Sequence, residues 1–360
     1  MKNLKSLLAL LFAFSLLAAA CGESGDDADD STDESTEEGS DEESEEPTDE
    51  DGGDDEESSD STDSEDGVDL TQGGDLTFHM VTHSDDGSFW SVVKRGAEDA
   101  AAQVGVELIW SPSDNDPEKQ VQDIEAAIAA GSNGIAASLA SPDAVAPALQ
   151  KATEAGIPVY TLNSGVNQYE EIGAVTHIGQ TETVAGEGAG KRFNDLGATH
   201  VLCAFQEQSN VGLEERCAGL EATFEGEVTT SFVGLDADQT EQQNTIAATL
   251  TEDDSIDAIL GTGPVVAVSA LAASQDLGKE IIIGGFDVTP EIIDAIEGGD
   301  IAFTVDQQQY LQGYLPVILM YLQATNQNTA GGGLPILTGP GFITPDNAAA
   351  VKELSAAGTR

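Results

Sequence analysis

The chain has 360 residues, and its 12 Lys and Arg stand against 67 Asp and Glu, which gives a formal net charge of −55 at neutral pH. This composition excludes a nucleic-acid-binding protein, because contacts with phosphate need a basic surface. The acidic residues are unevenly spread: residues 22–66 contain 25 of them and no Lys or Arg, and the 294 residues that follow are enough for one or two domains with hydrophobic cores.

Residues 1–21 have the features of an export signal. Lys2 and Lys5 precede an apolar run of 14 residues, 7–20, which is too short for a bilayer, since spanning one takes about 20 residues. The run ends at a cysteine, and residues 17–21 resemble a bacterial lipobox whose large apolar residue lies one place further upstream than is usual. The resemblance implies that acylated Cys21 anchors the exported chain to the outer face of the cell membrane, at the cell surface or in the periplasm. The alternative is an ordinary cleaved signal in which Cys21 has no role.

An acidic segment, residues 22–74, follows the signal. It consists of Asp, Glu, Ser, Thr and Gly with almost no apolar side chain, so burial cannot offset the entropy of ordering it, and we predict that it is disordered. A flexible chain of about 50 residues spans roughly 40 Å, and charge repulsion extends it further. The sequence fits both a tether that lifts the rest of the protein off a surface and a solvating tail.

From residue 76 onward, short β-rich runs alternate with amphipathic stretches of helical length. The predicted strands are residues 76–81, 106–110, 134–139, 157–162, 200–205, 229–233, 258–260, 281–284 and 301–305. The predicted helices include residues 89–104, 118–130, 181–196 and 240–251. This alternation predicts an α/β protein with parallel sheets and helices on both faces, and the number of units indicates two doubly wound lobes.

The residues just after these strands suit the recognition of a polyol, because ligands of such folds bind beyond the carboxyl ends of the strands. Aromatic rings can pack against the CH groups of a polyol, while amide and carboxylate groups bind its hydroxyl groups. The candidate ligand residues are Asp86, Phe89, Trp90, Ser138, Asn163, Asn210, Asp287 and Gln307.

Signatures of catalysis and of metal binding are missing from the sequence. There is no Gly-x-Ser-x-Gly elbow, no phosphate-binding P-loop and no Gly-x-Gly-x-x-Gly that opens a helix. His79 and His83 are four residues apart, but they lie in or just after a strand and have no third ligand nearby. We therefore predict neither a metal ion nor a cofactor.

From about residue 76 to residue 349, the chain resembles the periplasmic sugar-binding proteins of ABC importers, of the ribose- and galactose-binding type. Four segments carry the resemblance in the family's order: Phe-Trp followed by Gly-Ala at 89–97, Ala-Gly-Ile-Pro-Val at 155–159, Gly-Gly-Phe-Asp-Val-Thr-Pro at 284–290 and Ile-Ala-Phe-Thr-Val-Asp-Gln at 301–307. The resemblance implies a type I periplasmic-binding-protein fold, in which two α/β lobes joined by a three-segment hinge close on a monosaccharide. By analogy, one lobe comprises residues 75–178 plus 307–332 and the other residues 179–306 plus 333–360.

The resemblance also implies roles for individual residues. Phe89 and Trp90 match the family's aromatic pair, whose rings sandwich the sugar. Asp287 matches the acidic residue of the Phe-Asp motif, and Gln307 matches a hinge glutamine that binds hydroxyl groups. Each residue also has a simpler interpretation: Phe89 as a core aromatic, Asp287 as the cap of the helix that begins at Pro290, and Gln307 as part of a polar link.

The chain departs from the ribose-type members at several positions. Asn-Ser at 163–164 replaces the Asp-Arg of the ribose-type members. Glu214 lies near the position at which those members have an Arg, and Gly263 lies near the position at which they have an Asn. Arg216 or Asn210, at the start of the same helix as Glu214, could supply the lost hydrogen-bond donors. The expected ligand is therefore a sugar, a sugar alcohol or a cyclitol rather than ribose in particular.

Three cysteines fit an exported protein. If Cys21 carries lipid, Cys203 and Cys217 remain as a pair, and we predict that they form a disulfide in an oxidising compartment. Two inert thiols and a catalytic cysteine are the alternatives. His200, the histidine nearest in sequence to Cys203, falls on the opposite face of the same strand.

Three functions follow from these observations. The first is a monomeric, lipid-anchored receptor that delivers its ligand to the permease of an ABC importer, and it is the one we expect. The second is a sensory receptor of the same fold, which differs only in its membrane partner. The third is an exported carbohydrate-active enzyme, which needs a pair of carboxylates, and Asp287 and Asp306 are the candidates.

Overall fold

Two six-stranded sheets organise residues 73–85, 87–236 and 238–360, which are the residues that the computed structural model describes. The predicted signal, Cys21 and all but the last two residues of the acidic segment lie outside these ranges, and so does Asp86. Within the described ranges, no helix is both long enough and apolar enough to cross a membrane.

Strands and helices alternate along most of the chain. The strands are β1 (Thr77–Thr82), β2 (Glu107–Pro112), β3 (Gly134–Ser138), β4 (Val159–Leu162), β5 (Thr176–Gln180), β6 (His200–Phe205), β7 (Glu227–Phe232), β8 (Ala258–Gly261), β9 (Ile282–Phe286), β10 (Phe303–Asp306), β11 (Ile336–Gly339) and β12 (Gly341–Ile343). The helices are α1 (Gly87–Val104), α2 (Pro117–Ala129), α3 (Pro142–Glu154), α4 (Glu182–Asp195), α5 (Val211–Thr223), α6 (Gln239–Glu252), α7 (Pro264–Leu277), α8 (Pro290–Gly298), α9 (Gln309–Asn326) and α10 (Ala348–Ala356).

The first sheet has the strand order β11-β5-β4-β3-β1-β2, and all of its strands are parallel. Its central strands are buried along their length, as expected for strands that helices cover on both faces. Helices α1 and α9 form one apolar layer with this sheet, and α2 and α3 form the other. We call this body the first lobe.

The second sheet has the strand order β12-β10-β9-β8-β6-β7, and only β12 runs antiparallel to its neighbour. Helices α4 and α5 cover one face, and α6, α7, α8 and α10 cover the other. This body is the second lobe. The fold class predicted from the sequence, two doubly wound α/β lobes, is confirmed.

The chain crosses between the lobes at three places: after β5, between β10 and α9, and between β11 and β12. Two of these crossings lie at different residues from the predicted lobe boundaries. The boundary at residue 178 falls inside β5, and the segment after residue 332 first adds β11 to the first sheet before it reaches the second. The third crossing lies at Pro340, between Gly339 and Gly341, because a strand on each side of it pairs with a different sheet.

Helix α9 returns to the first lobe and packs closely on α1. Two glycines make this approach possible. A Cβ atom on Gly313 would collide with the carbonyl oxygen of Val93, and a Cβ atom on Gly96 would collide with that of Tyr310. Because α1 carries aromatic residues at its start, this close contact fixes the position of one wall of the cleft described next.

Candidate ligand-binding site

A cleft lies between the two lobes, beyond the carboxyl ends of their strands. The empty space of the cleft, including its open mouth, is about 530 Å³. The residues that line it are His83, Ser84, Phe89, Trp90, Asn115, Asn163, Gln206, Glu207, Asn210, Leu213, Arg216, Leu235, Asp236, Pro264, Asp287 and Gln307.

The aromatic wall of the cleft comes from the first turn of α1. Trp90 is only 5% exposed, and its ring meets the rings of His83 and Phe89 edge-on at centroid distances of 5.0 and 5.1 Å. Phe89 is half-buried and also lines the cleft. Phe89 also packs against the core of the first lobe, in which Trp90 is buried, so Phe89 is both a core aromatic and a residue of the cleft wall.

Asp287 forms the opposite wall, just after β9. Its backbone adopts a left-handed conformation with a φ of 71°, and its N–H donates to Val305 O at 2.7 Å. The hydroxyl group of Thr304 donates to Asp287 O at 2.8 Å. These contacts hold the carboxyl group toward the cleft. Asp287 does not cap α8, because Thr289 is the cap, and its hydroxyl oxygen accepts from Ile292 N.

The Asp287 carboxyl group is almost completely buried, and burial raises its pKa from 3.8 to about 7. The positive charge of Arg216 and the hydrogen bond from Gln307 oppose this rise, whereas the charges of Glu182 and Asp306 add to it. The ligand-free carboxyl group is therefore close to half-protonated at neutral pH. A ligand hydroxyl group that donates to Asp287 would favour its charged form.

Gln307 links Asp287 to the hinge. Its Nε2 donates to Asp287 Oδ1 at 2.7 Å, and its Oε1 accepts from Gln312 Nε2 at 2.8 Å. The second bond fixes the orientation of the Gln307 amide, so that its NH₂ group faces the carboxyl group. With 1% of its surface exposed, Gln307 is not the ordinary polar link of the simpler interpretation.

Arg216 lines the cleft from the second lobe, but most of its hydrogen bonds go elsewhere. Its Nε donates to Glu182 Oε2 at 2.6 Å, and its Nη2 donates to Glu182 Oε1 at 3.1 Å. Nη1 donates to Thr262 O at 2.6 Å, and the guanidinium lies 4.3 Å from the ring centroid of Phe286. Burial opposes the charge of Arg216, but the Glu182 carboxylate outweighs it and raises the pKa of Arg216.

Asn163 and Asn210 approach the cleft from different lobes. Asn163 follows β4 with a left-handed φ of 62°, and its Oδ1 accepts from Ser164 Oγ. Ser164 Oγ also lies 2.9 Å from Asn210 Oδ1, which caps α5 by accepting from Gly212 N. Asn210 Nδ2 donates to Glu207 Oε2 at 2.7 Å. Both asparagines therefore lie where the sequence predicts.

Ser138 is the exception among the described candidate residues, because it does not line the cleft. It is fully buried at the end of β3, and its Oγ accepts from His83 N and lies 2.8 Å from His83 Nδ1. Its hydroxyl group is used in orienting the imidazole, which in turn lines the cleft. Ser138 therefore supports the cleft from behind.

Direct contacts join the lobes beside the cleft. His83 Nε2 lies 3.4 Å from Glu207 Oε2, Val211 N donates to Ala140 O at 3.0 Å, and Asn167 Nδ2 donates to Glu215 Oε1 at 2.8 Å. Burial raises the pKa of Glu207, but the charge of His83 and hydrogen bonds from His83 and Asn210 outweigh it and lower that pKa below its usual value. The two lobes are thus closed on each other.

Cys203 and Cys217 are joined by a disulfide, with their Cα atoms 5.9 Å apart. The bond ties β6 to α5. Helix α5 is also the helix that carries Arg216.

Several cleft residues were not singled out from the sequence. Asn115, Leu235, Asp236 and Pro264 follow strands or open helices, so a strict search of every strand end would have found them. Glu182, which begins α4 behind the cleft, was not singled out either. Among the described residues, no group of His, Cys, Asp and Glu could hold a metal ion.

The arrangement can bind a polyhydroxylated ring, and it does not bring Asp306 into the cleft beside Asp287. Asp306, the proposed partner of Asp287, is fully buried, does not line the cleft and is paired with Arg360, whose Nε lies 2.7 Å from its Oδ2. The cleft instead offers an aromatic face next to amide and carboxyl groups, which can accept from and donate to hydroxyl groups around a ring.

Comparison with known proteins agrees with this geometry. Residues 78–328 match the family model for a periplasmic binding protein domain. The chain is 30% identical to the xylose/arabinose-binding protein of Sulfolobus acidocaldarius, over 74% of this chain and 70% of that protein. It is 26% identical to the ribose import binding protein of Haemophilus influenzae, over 67% of this chain and 83% of that protein. A carbohydrate transporter from Acidothermus cellulolyticus, solved in complex with myo-inositol, is similar in structure, with a TM-score of 0.77 and 41% identity over 79% of this chain and 99% of that one.

Proposed function

The chain belongs to the periplasmic binding protein family, and we propose that it is a lipid-anchored receptor that captures a sugar, sugar alcohol or cyclitol and delivers it to an ABC importer. The observation that carries this proposal is the cleft, where the indole of Trp90 stands across from the buried carboxyl group of Asp287. A ring placed between them would stack on the indole and donate a hydroxyl hydrogen to the carboxylate.

The nature of the ligand is supported by the chemistry of the cleft and by the relatives together. The relatives are named for pentoses, and one similar structure holds myo-inositol. Pentoses and cyclitols share a small ring with hydroxyl groups on most of its carbons. The side-chain amides of Asn163 and Gln307 each have donor and acceptor atoms, so they suit such groups whichever way the hydroxyl hydrogens point.

Closure of the lobes is the step that turns binding into a signal for transport. The cleft takes residues from both lobes, so a bound ring bridges them, and the hinge segments after β5, β10 and β11 allow them to separate. A ligand that contacts both walls stabilises the closed arrangement over an open one by its differential affinity. The closed form would then present a defined surface to the permease.

The anchor is the part of the proposal that depends on sequence alone. Acylation at Cys21 would hold the chain on the outer face of the membrane, and the acidic segment 22–74 would let the lobes reach the permease from that fixed point. Two or more acyl chains would be needed for lasting attachment.

Thermal-shift screening of the purified full chain tests the binding function. The panel contains pentoses, hexoses, sugar alcohols and cyclitols, including D-xylose, L-arabinose, D-ribose and myo-inositol. A ligand present at 100 times its Kd adds about 2.7 kcal/mol to the free energy of unfolding, which gives a clear rise in Tm. The Trp90→Ala variant serves as the matched control and should lose most of the rise. If no compound of the panel stabilises the parent, the proposed function is wrong.

A further inference from the structure

Glu182 lies behind the cleft rather than in it. It is the first residue of α4, directly after the first crossing between the lobes, and it is completely buried. Its Oε2 accepts from Gln180 Nε2 at 2.8 Å as well as from Arg216 Nε, and its Oε1 accepts from Arg216 Nη2. The amino-terminal end of α4 also favours a negative charge at this position. Glu182 is therefore a fixed, buried carboxylate whose main partner is Arg216.

Arg216 and His83 are the basic residues among the described residues that line the cleft, and each faces a carboxylate. Arg216 is held by Glu182 with two hydrogen bonds, and His83 lies 3.4 Å from Glu207. A guanidinium group has five N–H groups, and Arg216 uses three of them on Glu182 and on Thr262 O. Arg216 can still donate to a ligand hydroxyl group, but its positive charge is already neutralised.

The remaining ionisable side chains that line the cleft are acidic. Asp236 and Asp287 line it in addition to Glu207, and no lysine does so in the described part of the chain. A ligand carboxylate or phosphate that entered the cleft would lose its hydration and would find no unpaired cation there. It would also lie close to these acidic groups. Burial of a charge without a partner is strongly unfavourable. An uncharged polyol meets no such cost.

We propose that Glu182 is a specificity-determining residue: by neutralising Arg216 it restricts the cleft to uncharged polyols and excludes sugar acids and sugar phosphates. This inference rests on the proposed function, because it concerns which ligands the same cleft accepts. Glu182 does not touch the ligand. It acts through the charge of Arg216, whereas the direct contacts of the cleft select the shape of the ring.

A purely structural role for the ion pair makes a different prediction. If Glu182 only holds α5 in place, its replacement would weaken the binding of neutral and anionic ligands by the same factor. If Glu182 sets the charge preference, its replacement would change the ratio of their affinities. The neutral-to-anion ratio is therefore the quantity to measure.

Titration calorimetry on the purified full chain, with matched ligand pairs, measures this ratio. The pairs are D-glucose with D-glucuronate, D-galactose with D-galacturonate, and myo-inositol with myo-inositol monophosphate. For any pair whose neutral member binds the parent, the anion is expected to bind at least about 100-fold more weakly, which corresponds to about 2.7 kcal/mol. The variant Glu182→Gln keeps the size and an acceptor oxygen but removes the charge, and it should narrow the ratio at least tenfold.

Glu214→Gln is the control, since it makes the same chemical change at an exposed position of the same helix that holds Arg216. It should leave the ratio unchanged. Equal affinity of the parent for both members of a pair would overturn the inference without any variant. So would a Glu182→Gln or Glu182→Ala protein that binds the neutral member but keeps the parental ratio. Failure of every neutral compound to bind the parent would instead count against the proposed function.

Discussion

Replacing Asp287 with Asn should stabilise the ligand-free protein at neutral and alkaline pH. The carboxyl group is 4% exposed, and burial raises its pKa to about 7. Asn keeps an oxygen that can accept from Gln307 Nε2, so the hydrogen bond to the hinge survives. Asn cannot ionise. In the parent, the ionised Asp287 carboxylate destabilises the folded protein, because its charge is buried away from water.

The size of this effect follows from the difference between the two pKa values. Between a pH of about 4 and 7, the folded state keeps a proton on Asp287 that the unfolded chain has released. The contribution of the protonated group to stability is therefore complete below the unfolded pKa of 3.8 and is lost as the pH rises through about 7. About three pH units at about 1.4 kcal/mol per unit give about 4 kcal/mol.

Urea unfolding of the ligand-free parent and variant at pH 4.5, 6 and 8 checks this prediction. The difference in the free energy of unfolding between Asp287→Asn and the parent should be small at pH 4.5 and grow to several kcal/mol at pH 8. Asp276→Asn, on the exposed surface of α7, controls for the loss of one negative charge from the acidic protein. The reasoning would be refuted by a difference in the free energy of unfolding that is the same at all three pH values. A variant less stable than the parent at pH 8 would refute it as well.

Three further predictions concern the anchor, the disulfide and the aromatic wall. Cys21→Ser should move the exported protein from the membrane to the soluble fraction on fractionation, and unchanged membrane association would rule out acylation at Cys21. Because the disulfide closes a loop of about 15 residues, replacing Cys203 and Cys217 together with Ala should lower the free energy of unfolding by about 3 kcal/mol in urea titrations; free thiols at both positions in the purified exported protein would contradict the pairing. Trp90→Phe should lose most of the ligand-induced change in tryptophan fluorescence, since Trp110 is the other indole of the chain, and a full signal in the variant would place the ligand elsewhere.

The alternation of strands and helices could be predicted from the sequence because each inner strand is a short apolar run between turns. Three strands, β5, β11 and β12, could not be predicted from the sequence. β5 contains Thr176, His177 and Gln180, which are polar side chains that neighbouring elements bury, so the strand has no apolar run. β11 and β12 have four and three residues, and each includes a glycine. Their places in the two sheets depend on contacts with β5 and β10 that no local pattern records.

Part of the cleft lining could be predicted because ligands of parallel sheets bind at strand ends, and the family resemblance narrowed the choice to residues such as Asp287 and Gln307. The same rule also selected Ser138, whose hydroxyl group is turned to His83 and does not line the cleft. Glu182 was missed because an acidic residue at a helix start is ordinary. Its importance appears only when the fold brings it against Arg216, 34 positions later in the chain.

Titration calorimetry of the parent and of Asp287→Ala, with the compound that gives the largest thermal shift, tests most directly the claim that this cleft is a polyol-binding site. A carboxylate that accepts two ligand hydroxyl groups makes charged hydrogen bonds of about 1.5–3 kcal/mol each. Their loss should weaken binding by about 3–6 kcal/mol, which is about a hundredfold to more than ten-thousandfold in Kd. Affinity close to that of the parent in Asp287→Ala would contradict the claim and would place the ligand outside this cleft.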